Sequence, residues 1–377
     1  MPGLVPASAG PTGDPRASLR HARRVVIKIG SRTLASDPAV YGRIARSVAA
    51  ARAGGRSIVL VSSGAIALGV HRLGWKRRPR EMAGLQAAAA AGQTALMLLY
   101  ERAFRESRIE VAQVLLTHAD LADRVRGNNA RAAIQALLDA GAVPILNEND
   151  SVSVEEIKFG DNDQLAALVT PLVDASLLLL LSDVDGVMSS SGVRIRVVAD
   201  VAREALPHVR TTPVGGSGTG GMASKREAAR RATVSGAHVV IADARRPDVI
   251  EAALAGEDVG TLFLASSPRL SAKKAWIAFT LRPRGAVLLD AGAAEAVALR
   301  GKSILPVGVL GVRGDFRAGD AVSIVGAHGV EIGRGLTRCD AAVAASIAGK
   351  AAKRGGKAEG DDSAPSVLVH RDELVVW

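Results

Sequence analysis

The chain has 377 residues, 48% hydrophobic, 23% charged and 3% aromatic, with one cysteine, Cys339. That is enough for two domains with cores of Ala, Val, Leu and Ile, while one thiol excludes an intrachain disulfide and fits a cytoplasmic protein. The net charge of +11 invites a nucleic-acid partner, but basic residues are spread out apart from Lys76-Arg77-Arg78-Pro79-Arg80, with few aromatics to stack bases.

Residues 1–21 are rich in Pro, Gly, Ala and Ser and are predicted to form a disordered leader. Short β-branched runs then predict buried strands at Val25–Ile29, Ser57–Val61, Val111–Leu115, Val143–Leu146, Leu177–Leu181 and His238–Ile241. Alanine-rich segments between them, Ile44–Ala53, Met82–Arg105, Asn128–Ala140 and Asp163–Leu172, predict helices. No apolar run approaches the roughly 18 residues of a membrane span, so none is expected. Alternating strands and helices predict an α/β fold, a three-layer sandwich around a mainly parallel sheet, over residues 22–270. Ligands of such sheets bind at the carboxyl ends of the strands. After a linker at 271–282, short strands at Ala286–Leu289, Val307–Val312, Ala321–Val325, Val330–Ile332 and Ser366–His370 predict a small β-rich domain over 283–377. Residues 349–364, rich in Gly and Lys, read as a mobile connection.

The densest chemistry follows the fourth strand: Asn147-Glu148-Asn149-Asp150, then Gly160-Asp161-Asn162-Asp163. Asn and Asp are common in turns and caps. Two such tetrads flanking one loop point instead to a set of donors and acceptors for a small zwitterion, since polar groups near a core cost free energy unless partnered. Asp161-Asn162-Asp163 starts like a calcium loop, but Ala166 stands where the sharp-turn glycine belongs.

Lys28-Ile29-Gly30-Ser31 ends the first strand, and a lysine within an apolar strand requires a partner or an anion. Ser62-Ser63-Gly64-Ala65-Ile66 leads the second strand into a helix N-terminus. Gly216-Ser217-Gly218-Thr219-Gly220-Gly221-Met222-Ala223-Ser224-Lys225 contains GxGxxG, but no strand precedes it and no Lys-Ser/Thr follows Gly221, so it is neither a dinucleotide fingerprint nor a Walker loop. What remains is a glycine-rich loop opening a helix, suited to the phosphates of a nucleotide. His370-Arg371-Asp372 imitates a protein-kinase catalytic loop without the downstream asparagine.

In this order the motifs resemble the amino acid kinase superfamily and, within it, the bacterial glutamate 5-kinases, over nearly the whole chain from about Arg24. The C-terminal part looks like a PUA domain, an RNA-associated β-fold. The resemblance implies an amino acid kinase fold and ATP-dependent phosphorylation of the L-glutamate γ-carboxylate, the first step of proline biosynthesis. It implies Lys28, Lys225 and Asp163 as catalytic residues, and Ser63, Asp150, Asn162 and Asn147 as glutamate-binding. It matches Lys28, Ser182, Asp183, Thr219, Gly220, Gly221, Met222, Ala223, Ser224 and Lys225 to nucleotide-binding positions. Mg²⁺ is expected with ATP, with no protein ligand to it assigned. A homo-oligomer is expected, no membrane partner is, and RNA stays open as a partner of the PUA-like domain.

Two departures stand out. Val187–Val201 is shorter than usual and lacks an Asp-Pro hairpin, and Glu359–Ser366 lacks the tyrosine usual before Val369-His370-Arg371-Asp372. Two rivals are a superfamily kinase with another acceptor, which would favour arginines over Asp150 and Asn162, and an RNA-binding PUA protein with an inactive kinase fold.

Overall fold

A computed structural model describes residues 14–37, 39–152, 162–199, 201, 221–266, 269–326, 329–350 and 365–377. The chain divides into two compact units, Met1–Arg269 and Leu270–Trp377.

The first unit runs from a 3-10 helix, Pro15–His21, through β1 (Arg24–Ile29), α1 (Ser31–Ser36), α2 (Val40–Ala53), β2 (Ser57–Ser62), α3 (Ala65–Arg72) and α4 (Met82–Arg105). It continues with β3 (Val111–Leu116), α5 (His118–Ala122), α6 (Arg124–Asp139), β4 (Val143–Glu148), α7 (Asn162–Leu172), β5 (Leu177–Ser182) and β6 (Val197–Val198). The last elements are α8 (Met222–Val234), β7 (His238–Asp243), α9 (Val249–Leu254) and β8 (Thr261–Phe263). One sheet holds all eight strands in the order β3-β4-β2-β1-β5-β7-β8-β6. Only β7 and β8 pair antiparallel.

Period-two alternation explains how the layers are fed. Val25, Ile27 and Ile29 of β1 join a core with residues of α2, α4 and α9, so Lys28, one position out of phase, points to the other face. Because helices cover both faces, the strands need no polar side, and β1 and β5 are apolar almost throughout. Chain connections lead from β1 toward β2 on one side and from β5 toward β7 on the other. The carboxyl ends of β1 and β5 therefore form a topological switch point, the natural crevice of an open α/β sheet.

The leader expectation fails at its end. Asp14 caps the 3-10 helix by accepting from the Arg16 backbone N–H at 3.0 Å, and Leu19 is fully buried. The Arg16 guanidinium donates to the carbonyls of Arg196, Glu257, Val259 and Gly260 and pairs with Asp258 at 3.3 Å. A buried cation with that many acceptors fixes the segment, overriding its turn-rich composition. Residues 187–195 form a tight antiparallel excursion: Met188 bridges Arg194, and Ile195 N–H donates to the Val187 carbonyl.

Among the described residues one helix, α4, has the length and apolar composition of a membrane span, more than the sequence pattern suggests. Leu96, Tyr100 and Phe104 are fully buried in the sheet's core, which identifies α4 as a core helix. It crosses α3 at backbone contact: a Cβ on Gly69 would lie 1.7 Å from the Ala88 carbonyl oxygen, and one on Gly92 1.7 Å from that of Ala65.

The second unit opens with α10 (Ala272–Ala275) and one π-helical turn, Trp276–Thr280, whose Ile277 and Phe279 are buried. The predicted linker at 271–282 is thus a packed helical segment, held by its apolar residues. Then come β9 (Gly285–Leu289), α11 (Ala291–Arg300), β10 (Val309–Gly314), β11 (Ala321–Val325), β12 (Glu331–Thr337), α12 (Ala341–Ile347) and β13 (Val369–Val376). The sheet order is β10-β9-β11-β12-β13. The last strand begins at Val369, later than the pattern predicts, because Leu368 packs into the core ahead of it. The predicted connection at 349–364 lies almost wholly outside the described residues.

Because the α3/α4 crossing leaves no room for a side chain, Gly92→Ala should destabilise the first unit by ~1–3 kcal/mol, measured by urea denaturation. Unchanged stability would show that the crossing can open.

Candidate active site

Three charges meet at the carboxyl end of β1. Lys28 and Lys225 place their ammonium groups on the two oxygens of one carboxylate: Lys28 Nζ lies 2.5 Å from Asp163 Oδ1 and Lys225 Nζ 3.0 Å from Oδ2. All three are buried, Asp163 completely. Each comes from a different element. Lys28 lies near the end of β1 on the face away from α2, Asp163 sits in the first turn of α7, where a carboxylate is favoured by the helix dipole, and Lys225 follows in the first turn of α8. Burial pushes the Asp163 carboxyl up, but the two ammonium groups more than offset this and hold it below the usual carboxylate range. The triad carries two positive charges against one negative, which suits it to receive an anion.

Next to the triad is an amide cluster. Asn162 Nδ2 donates to the Ser62 carbonyl at 3.1 Å, to Ser63 Oγ at 2.9 Å and to Asn147 Oδ1 at 3.1 Å. Its own Oδ1 is buried without a hydrogen-bond partner among the described residues. Asn147 lies one layer deeper; its carbonyl also accepts from the Glu148 backbone N–H at 2.9 Å, and its Nδ2 donates to Gln93 Oε1 at 2.8 Å. Gly64, at φ +102°, makes the left-handed turn that delivers Ser63 from β2 to α3. Asp150 is half-buried in the turn after β4.

On the other side stand the groups expected to meet a nucleotide. Gly30 donates its N–H to the Leu181 carbonyl at 3.1 Å, and a Cβ there would lie 4.0 Å from Lys28 Nζ, so Gly30 borders the triad. Ser182 Oγ donates to Asp183 Oδ1 at 3.0 Å, and Asp183 pairs with Arg32 at 2.8 Å. Gly221 is the N-cap of α8, and a Cβ on it would meet no atom of the described residues within 4 Å. Gln164 of α7 donates to the Ser224 carbonyl at 3.0 Å, tying the helix that bears Asp163 to the helix that bears Lys225. Thr219 and Gly220 lie outside the described residues, as do Gly160 and Asp161.

The structure thus brings together Lys28, Ser63, Asn147, Asn162, Asp163 and Lys225. Sequence reasoning missed Gln93, Arg32 and Gln164. Gln93 left only a weak trace, because α4 carries two glutamines, Gln86 and Gln93, and nothing local tells them apart; Arg32 and Gln164 gave none.

The profile of the Amino acid kinase family matches residues 23–243, and that of the PUA domain residues 285–354. A glutamate 5-kinase of Ralstonia pickettii (strain 12J) is 46% identical over 369 residues, covering 94% of this chain and 97% of that protein. One of Cupriavidus pinatubonensis is 47% identical over 370 residues (95% and 99%). One of Burkholderia ambifaria is 45% identical over 373 residues (96% and 100%).

A carboxylate whose folded-state pKa is depressed contributes stability above its unfolded value, about 3.9 for Asp, and loses it as pH falls through the folded value. Asp163→Asn should therefore cost ~3–5 kcal/mol at neutral pH, because two buried cations lose the carboxylate they share. In urea denaturation the gap from the parent should narrow as pH falls from about 5 toward 2. A gap constant with pH would remove Asp163 from this role.

Proposed function

The chain belongs to the amino acid kinase family and, within it, to the glutamate 5-kinases, and on that premise we propose how its side chains divide the work of ATP-dependent phosphorylation of the glutamate γ-carboxylate. The observation that carries the proposal is the buried pair of lysines on one carboxylate, set beside an amide oxygen, Asn162 Oδ1, that has no hydrogen-bond partner among the described residues. Phosphate-accepting chemistry belongs to the first, recognition of an amino acid to the second.

The acceptor carboxylate has an unperturbed pKa of about 4.3 and is already ionised at neutral pH, so the reaction needs no general base. A γ-carboxylate oxygen attacks the γ-phosphorus of ATP, the bond to the β-phosphate oxygen breaks, and ADP leaves with its electron pair. No proton moves. The obstacle is bringing two anions together and stabilising charge on the transferring group. Lys28 and Lys225 supply that charge, and Asp163 holds both ammonium groups in place. The N-terminus of α8 supplies backbone N–H groups to the phosphates, with Ser182 and Asp183 on the nucleotide side.

Glutamate lies on the amide cluster. The buried Oδ1 of Asn162 accepts from the substrate ammonium, Asp150 adds a carboxylate to it, and Ser63 with neighbouring backbone groups holds a substrate carboxylate. Asn147 supports Asn162 from behind. Among the described residues no group of three or more His, Cys, Asp or Glu is placed to hold a metal, and both oxygens of Asp163 face lysines. We expect Mg²⁺ to arrive with ATP, held by its phosphates and water. When bound with ATP, Mg²⁺ neutralises charge on the phosphates.

We also place the enzyme in the cytoplasm as a homo-oligomer. β3 is an edge strand, and Ala83, Ala87, Ala90, Thr94 and Leu98 form an exposed, largely apolar row on α4. Both favour a second copy over open solvent.

Lys28→Ala or Lys225→Ala should lower kcat by about a hundred- to a thousandfold while circular dichroism stays that of the parent. The assay is ATP, Mg²⁺ and a panel of amino acids, with hydroxylamine trapping any acyl phosphate as a hydroxamate. Near-parental turnover in either variant would refute the electrostatic assignment. Asn162→Ala and Asp150→Asn should raise the glutamate KM by about tenfold or more with the ATP KM little changed. A rise confined to ATP would move both residues to the wrong substrate.

A further inference from the structure

The amide cluster extends beyond the groups that would touch glutamate. Asn162 Nδ2 donates to Asn147 Oδ1, Asn147 Nδ2 to Gln93 Oε1, and Gln93 Nε2 to Gln113 Oε1 at 2.9 Å. Every amide in this row points its nitrogen the same way, from the site toward edge strand β3.

Two backbone groups fix that direction without any choice of amide orientation. The Ser62 carbonyl can only accept, so the atom 3.1 Å from it must be the Asn162 nitrogen. The Glu148 N–H can only donate, so the atom 2.9 Å from it must be the Asn147 oxygen. Asn147 is 2% exposed, and its nitrogen is then left facing Gln93, which must present an oxygen. The outcome at the other end is the buried, acceptor-only Oδ1 of Asn162.

We infer that Gln93 of α4 is a positioning residue for glutamate: by accepting from Asn147 it fixes the amide row that aims Asn162 Oδ1 at the substrate ammonium. Gln93 touches no substrate itself. Without its oxygen, the buried nitrogen of Asn147 lacks this acceptor, and the amide gains by turning or shifting toward another, which releases Asn162. The inference rests on the assignment of Asn162 to glutamate.

Gln93→Met keeps length and removes both polar atoms. It should raise the glutamate KM about tenfold and leave the ATP KM within about twofold, a split that a general loss of packing does not produce. Gln93→Glu retains an acceptor at the same reach and should restore the glutamate KM to within about twofold of the parent. An unchanged glutamate KM in Gln93→Met, or equal rises for both substrates, overturns the inference. If Gln93→Met does not fold, Gln93→Leu is read by the same split: a rise in the glutamate KM with a parental ATP KM supports the role, and an unchanged glutamate KM defeats it. Asn162→Ala, assayed alongside, separates the two levels. If it raises the glutamate KM and Gln93→Met does not, the positioning role fails alone; if neither does, the glutamate site itself is wrongly assigned.

Discussion

The contact on which this structure depends is the shared carboxylate of Asp163. Two ammonium groups buried together would repel each other and each would carry the cost of leaving water. One carboxylate between them turns that liability into a fixed arrangement, and it does so incompletely, because one charge cannot balance two. The remaining positive charge sits where the β1 and β5 ends open. A site built this way is preorganised for an incoming anion, with no reorganisation needed at the moment of transfer. Three separate elements must be correctly packed before the triad exists, so the integrity of the sheet and the competence of the site are the same condition.

The two halves of the crevice use different physics. The lysine side works by net charge, which acts over several ångströms and tolerates small displacement. The amide side works by directed hydrogen bonds, which are lost with small errors of angle. Recognition of a small zwitterion therefore needs the more rigid support, and it has it: α3 and α4 cross at backbone contact through Gly69 and Gly92, and Ser62 is held by the buried Tyr100 hydroxyl at 2.9 Å.

Much of this was legible in the sequence. The apolar runs of the six longer strands of the first sheet stood out because burial on both faces removes the polar alternation that usually blurs such signals. Lys28 was conspicuous as a charge in an apolar strand, and Asn162 and Asp163 as polar groups packed together. What escaped detection depends on long-range contact. Pro15–His21 reads as leader because its composition is that of a turn; only the carbonyls about 240 positions away make Arg16 a core residue. Trp276–Thr280 reads as linker because so short an apolar segment has no clear period. Gln93 is one of two glutamines, with Gln86, in an alanine-rich helix, and nothing local marks it as the one that packs inward. The two-residue strand β6 carries too little pattern to be seen at all.

The Arg16 clasp bears on the order in which the protein can be made. Its acceptors lie at Arg196, Glu257, Val259 and Gly260, so a nascent chain emerging amino-terminus first holds this guanidinium without its native acceptors until almost the entire first unit has been synthesised. Pairing of β6 with β8 waits for the same residues. Early closure of β1 with β2 can proceed, but the far side of the sheet is sealed only near the end, and the first segment translated becomes the last one locked. The contacts that lock Arg16 can therefore form only after Gly260 has been synthesised.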